Sequence, residues 1–270
     1  MATSPTTGVS RTAVIIAQAR ATETARPDRL FADPLAQAFV DAIGWIQVAE
    51  AGRLNQEHFV LRTRFFDDYL RSAWPGCGQA VIVASGLDTR AFRLDWPSDF
   101  PVFEIDLPGL LAFKDAVVGV QHAVPSCRRV VVPADLREDW TAALTDAGFD
   151  PAVPTAWLVE GLLMYLDQTS SDMVLASIGG LSAAGSTLAM EHINQAYLDL
   201  PEMRAVQERL RRFGATWQST CDDPVGWLAA HGWTAAVTPQ TELAERHGRP
   251  VPPLTVAGDA RMWLVSAERA

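Results

Sequence analysis

The sequence predicts an α/β fold built on a parallel sheet with helices covering both faces. Three observations carry that prediction. Residues 80–84 form an apolar run rich in β-branched side chains, as expected of a strand buried on both faces. The run breaks at Ser85-Gly86 and resumes, after Asp88 and Thr89 as capping residues, in the helix-compatible residues 91–94. From Gln79 onward, short β-branched runs alternate with helical stretches, which is the pattern of parallel α/β sheets rather than of all-helical or all-β chains. A strand entering a helix through a tight turn places backbone N–H groups and a helix N-terminus at the carboxyl edge of the sheet. Open α/β sheets bind their ligands at that edge.

Taken in order, residues 1–12 are rich in Thr, Ser and Gly and are expected to be disordered at their start. Residues 13–25 read as a short helix with Arg20 near its middle, ended by Arg26-Pro27-Asp28. Asp33-Pro34 opens a second helix that carries Leu35, Phe39 and Ile43 on one face. A third, over 58–74, presents Phe59, Phe66 and Leu70 along one side with Arg62 and Arg64 among them, and Pro75-Gly76 stops it. Strands follow at 80–84, 101–106, 128–133, 155–160 and 185–191, with helices near 88–94, 108–118, 137–148 and 169–182. Residues 193–231 are helical and aromatic and interrupt the alternation. Two final strands, 233–239 and 262–267, are joined by a Pro-rich loop over 247–253. No internal repeat is evident.

The 270 residues are enough for one large domain with a substantial core, and the 49% apolar and 20% charged composition is that of a soluble globular chain. A net charge of −10 argues against a nucleic-acid partner, because phosphate binding needs clustered Lys and Arg. The densest basic stretch, Arg209-Leu210-Arg211-Arg212, reads as the solvated face of a helix. Cys77, Cys127 and Cys221 are odd in number and lack metal-ligand spacing, so neither a disulfide framework nor a metal site is indicated. No signal-peptide pattern and no apolar run of membrane-spanning length is present, and a cytoplasmic location without a membrane partner is expected. Nothing in the sequence speaks to the oligomeric state.

Acidic residues recur where the expected strands end. Glu104 and Asp106 close the second, Asp135 follows the third and Glu160 closes the fourth, so all four can line one cleft beside the Ser85-Gly86 turn. A carboxylate after the second strand is placed to accept from a ribose diol. Asp135 can accept from an adenine amino group while Leu136 packs on the ring. Each residue alone is also what a helix cap would look like. Arg20, Arg62 and Arg64, from the helical N-terminal segment, can clamp a carboxylate at the same edge or serve as surface ion pairs.

The string Gly86-Leu87-Asp88-Thr89-Arg90, with Phe103-Glu104-Ile105-Asp106-Leu107-Pro108 downstream, resembles the leucine carboxyl methyltransferase family, in its bacterial branch that includes natural-product tailoring enzymes. So do Ala134-Asp135-Leu136, the segment from Glu160 to Tyr165, the segment from Arg62 to Asp68, Ala19-Arg20-Ala21 and Asp33-Pro34. The resemblance implies a Rossmann-like sheet of seven strands with the last antiparallel. It also implies a helical cap over residues 1–76, a core over 77–192, a helical lid over 193–231 and C-terminal strands over 232–270. S-adenosylmethionine is the implied cofactor. Arg20 and Arg62 or Arg64 would meet its methionine carboxylate, Gly86 would let it approach the backbone, and Glu104 or Asp106 would hold the ribose. Asp135 and Leu136 would hold the adenine and Glu160 the methionine amino group, with Ala84 and Asp88 of the same turn beside them.

One departure from the family stands out: Ala84-Ser85-Gly86 replaces the usual Gly-x-Gly, and a Cβ at the first position costs about 1 kcal/mol if the turn needs a glycine conformation. Methyl transfer requires donor and acceptor to be held collinear and water excluded. A carboxylate acceptor of a small molecule or peptide, as the family implies, is ionised and needs no base, whereas a phenol or alcohol does. His192, placed just past the fifth strand, and Tyr197 are the candidates near the acceptor pocket. A nicotinamide dehydrogenase is the rival among enzymes, but its Gly-x-Gly-x-x-Gly is replaced by Ala84, Gly86 and Thr89. The other rival is a cofactor-binding protein without catalysis.

Overall fold

The computed structural model describes residues 8–44, 56–212 and 215–270. The expected disordered start falls largely on residues outside these. Three helices come first, α1 (Gly8–Thr24), α2 (Ala36–Ile43) and α3 (Gln56–Ala73). The alternating part runs β1 (Gln79–Val83), α4 (Arg90–Arg93), β2 (Pro101–Asp106), α5 (Pro108–Val120), β3 (Arg128–Pro133), α6 (Trp140–Asp146), β4 (Thr155–Val159), α7 (Gln168–Gly180) and β5 (Thr187–Ile193). After it come α8 (Gln195–Leu198), α9 (Pro201–Arg212), α10 (Pro224–Ala230), β6 (Trp233–Thr238), α11 (Gln240–His247) and β7 (Met262–Arg269).

The strands form one sheet in the order β3-β2-β1-β4-β5-β7-β6. Pairings among β1 to β5 are parallel, and β7 lies antiparallel between β5 and β6. The chain thus has the seven-stranded sheet with an antiparallel last strand. Side chains alternate across it as strand geometry requires. Ala80, Ile82, Val102, Leu158 and Ala189 pack toward α3 and α11, while Val81, Val83, Phe103, Trp157 and Met190 pack toward α6, α7 and α10. A separate apolar cluster, including Val14, Phe39, Leu87 and Leu110, seats α1 and α2 on α5.

Several boundaries differ from expectation. The first helix begins at Gly8 rather than at residue 13. Helix α6 starts only at Trp140, because Asp139 caps it by accepting from the Ala142 N–H. The region 193–231 is not uniformly helical: residues 215–221 form neither helix nor strand and dock on the segment after β4, Gln218 N–H donating to Met164 O at 2.7 Å. The loop expected over 247–253 is found at 248–252, between helix α11, which the sequence reading did not include, and a short 3-10 turn, Pro253–Val256. Strand β5 continues to Ile193, two residues past its expected end, because β7 pairs with it as far as Met262.

Candidate functional site

Strand β1 ends at Val83, and the chain turns sharply at the carboxyl edge of the sheet. Ala84 (φ 53°) and Gly86 (φ 48°) both adopt the left-handed conformation. The turn is fastened to β2: Ser85 N–H donates to Ile105 O at 2.9 Å, and Gly86 N–H donates to Oδ2 of Asp106 at 2.6 Å. Leu107 N–H donates to the other carboxylate oxygen at 2.7 Å. Burial pushes the Asp106 carboxyl above its ordinary value, and these two N–H groups offset only part of that rise.

Above this edge lies a cavity of about 660 Å³, within the usual size of a small-molecule site. Its sheet side is formed by Ala84, Gly86, Asp106, Asp135 and Leu136, with Glu160 and Glu191 from the ends of β4 and β5. Its roof is formed by Ile16 and Arg20 of α1, Phe59 and Arg62 of α3, Leu210 of α9, and Trp217.

Charge in the roof and floor is organised as one network. Arg62 contacts Glu191 at 2.5 Å and Glu160 at 3.0 Å, and Arg90 contacts Glu160 at 2.7 Å, Asp67 at 2.7 Å and Asp88. Burial opposes the charge on Asp88, yet Arg90 above all holds its carboxyl down to about 2. Arg62 is likewise buried, and Glu191 and Glu160 keep it charged, raising its pKa. Arg20 is anchored by Asp33 at 2.8 Å and by the carbonyl of Leu87 at 2.6 Å. At the other end Asp135, partly exposed, accepts from the Arg137 side chain, which lowers its pKa.

A family model for leucine carboxyl methyltransferase matches residues 13–179. A protein of Frankia alni named as an S-adenosyl-L-methionine-dependent methyltransferase is 47% identical over 255 residues, 91% of this chain and 90% of its own length. One of the same name from Streptomyces coelicolor is 42% identical over 97% of this chain and 96% of its own. The chain belongs to the leucine carboxyl methyltransferase family. Its solved neighbours agree in fold: a DUF574 family protein from Streptomyces avermitilis has a TM-score of 0.63 at 14% identity, over 94% of this chain and 97% of that one. A methyltransferase from Thermobifida fusca reaches 0.59 at 19% identity over 94% of each chain.

As a member of this family the protein is a methyltransferase with S-adenosylmethionine as cofactor. The cavity's donor set fits such a molecule. Nε of Arg62 and Oγ of Ser85, both on residues lining the cavity, are buried and have no hydrogen-bond partner among the described residues. Unpaired donors and acidic residues lining one cavity are what a zwitterion with a ribose requires.

The structure brings Arg20, Arg62, Ala84, Gly86, Asp88, Asp106, Asp135, Leu136 and Glu160 to one cavity. Four expected site residues lie elsewhere. Glu104 is fully buried two residues inside β2, where Lys114 of α5 at 2.8 Å and Arg129 of β3 at 2.7 Å neutralise it. Arg64 turns outward on α3, pairing with Asp68 at 2.8 Å and with the carbonyl of Leu30. His192 does not follow β5 but lies within it, on the face opposite Glu191, where it is wholly buried. Its Nδ1 accepts from Ile193 N–H, its ring meets Trp227, and burial lowers its pKa to about 4. Tyr197 is buried in a cluster with Ile193 and Met203 and does not line the cavity.

Sequence reasoning missed Glu191, Phe59, Trp217 and Arg209, all of which line the cavity, and gave no separate role to Arg90, which holds its carboxylates. Glu191 had a signal: an acid inside an otherwise apolar strand needs a partner. Arg209 was assigned to a solvated face, which in fact belongs to Arg211 and Arg212.

Proposed function

We propose that the protein methylates a carboxylate of a small molecule or peptide, forming a methyl ester. The observation that carries this is the state of the ionisable groups around the cavity. Among the described lining residues there is no His, Lys or Cys. Glu160, Glu191 and Asp88 are held by arginines, Asp135 by Arg137, Asp106 by two backbone N–H groups, and Asp167 caps α7. Burial raises the Tyr165 hydroxyl above its ordinary value. A phenol or alcohol acceptor would find no free base there, whereas a carboxylate arrives already ionised.

When bound, S-adenosylmethionine supplies an activated methyl group on a sulfonium. In this reading Arg62, with Arg20 beside it, meets the cofactor's carboxylate and Glu160 its amino group. Asp106 accepts from the ribose, Asp135 and Leu136 hold the adenine, and the turn from Ala84 through Gly86 to Asp88 lets the ligand lie against the backbone. Residues 1–76 act as a cap and 193–231 as a lid on one methyltransferase domain, excluding water from the reacting centre. The acceptor is a small molecule or peptide of a cytoplasmic tailoring pathway. No helix among the described residues is long and apolar enough to cross a membrane.

The test is incubation with labelled methyl donor and parallel panels of carboxylic acids and phenols. A product that releases methanol on mild alkaline treatment supports the reading. A base-stable product formed only from phenols overturns it in favour of ether formation.

A further inference from the structure

His58 sits in the first turn of α3, fully buried, with its two ring nitrogens directed at different elements. Nδ1 lies 2.9 Å from Oε1 of Gln240 on α11, whose own Nε2 donates to the carbonyl of Met262 on β7 at 3.1 Å. The Gln240 amide is thereby oriented with its oxygen toward the ring, so Nδ1 carries a proton. Nε2 then faces Oε2 of Glu191 at 3.6 Å, and neither atom has a hydrogen-bond partner among the described residues. A neutral ring would set a lone pair against a carboxylate in a dry site. A second proton turns the same approach into a charge-assisted contact.

Charge balance points the same way. Arg62, Arg90 and Arg93 bring three positive charges to the network, while Glu160, Glu191, Asp67 and Asp88 bring four negative ones. One more cation neutralises it. The ionisable groups facing His58 are Glu191 from β5 and Arg62 from its own helix, with Tyr165 next to both. Helix α11 offers uncharged Gln240, its Glu242, Glu245 and Arg246 being exposed and its His247 lying by Arg64 and Asp68. Neighbouring Glu57 leans to Arg249, Arg20 and Glu23 of α1 are bound to Asp33 and Arg249, and β4 carries no ionisable residue.

We propose that His58 is an imidazolium that positions Glu191 and, through it, the Arg62 guanidinium, so that cofactor affinity depends on a residue that touches no ligand. The proposal rests on the reading that Arg62 meets the cofactor's carboxylate. A proton on His58 favours the arrangement that binds cofactor. Affinity therefore falls when the contact between His58 and Glu191 is removed, and bound cofactor in turn favours the protonated ring.

The experiment has two parts. In nitrogen-labelled protein, with His58 assigned through His58→Gln, both ring nitrogens are expected to be protonated, and Glu191→Gln should leave a neutral ring protonated at Nδ1 alone. Calorimetry with S-adenosylhomocysteine should show His58→Phe, which keeps the ring volume but offers Glu191 no donor, binding on the order of tenfold more weakly than wild type, as loss of one charge-assisted contact would cause. His58→Gln, which keeps a donor toward Glu191, should recover most of that loss. A neutral wild-type ring, or His58→Phe binding like wild type, overturns the proposal. Arg62→Ala separates the two ways of failing. Weakened binding in that variant beside undiminished binding in His58→Phe removes only the role of His58, and undiminished binding in Arg62→Ala removes the site reading itself.

Discussion

The backbone N–H of Gly86 donates to Oδ2 of Asp106 at 2.6 Å, so the turn that ends β1 and the acid that ends β2 are a single unit. The bond fixes the carboxylate at the lip of the cavity, and Leu107 N–H takes the other oxygen. Each oxygen keeps lone pairs for a second donor, which is what binding a diol demands.

Asp106→Asn should therefore weaken S-adenosylhomocysteine binding by about 1.5–3 kcal/mol, since an amide both loses the charge and sets a donor against the N–H groups it now accepts from. Glu104→Gln should leave binding near wild type and lower the melting temperature, because Lys114 and Arg129 lose the charge that pairs them. Calorimetry and thermal unfolding on both variants check this; the reverse outcome would make Glu104 the ligand.

Ala84 stands at φ 53°, where an L-residue is strained by about 1 kcal/mol and glycine is not. Ala84→Gly gains that strain energy and loses a similar amount through the freer unfolded chain. Stability should change little, and cofactor should bind at least as well. Markedly weaker binding in the variant would mean that the turn is built around the methyl group.

The glycine turn, the alternation of strands and helices and the acids at strand ends were legible because each is local. What was illegible required depth or long-range pairing. Glu104 and Asp106 share a face by strand period, and only the position of Lys114 on α5 decides that one is sealed and the other open. The end of β5 is set by its pairing with β7, about seventy residues on in sequence, so Glu191 and His192 could not be assigned to opposite faces of a strand thought to stop at 191.

Arg62 and Arg64 are about 200° apart around α3, so a helix packed against the sheet can offer only one of them to the site. Arg62→Ala should weaken cofactor binding by about 2 kcal/mol or more, leaving Glu160 and Glu191 without their shared cation. Arg64→Ala, removing a half-exposed pair with Asp68, should change binding by a few tenths of a kcal/mol at most. Equal effects of the two in a titration with S-adenosylhomocysteine would contradict the placement.

His192 offers the sharpest test of a transfer without a general base. Burial depresses its pKa from 6.5 to about 4, so the unfolded chain takes up a proton before the folded one does. The stability it contributes is whole above pH 6.5 and is lost as pH falls toward 4, with a slope of at most about 1.4 kcal/mol per pH unit. Chemical denaturation across that window should show the slope in wild type, and His192→Asn, which keeps an acceptor for Ile193 N–H but cannot titrate, should lack it. Activity should behave differently. Because the ring lies on the face of β5 away from Glu191 and outside the cavity, His192→Ala should retain most turnover once its lower stability is allowed for. Turnover that collapses in this variant and recovers as pH is raised would place a proton transfer at His192, and with it an acceptor that must first be deprotonated.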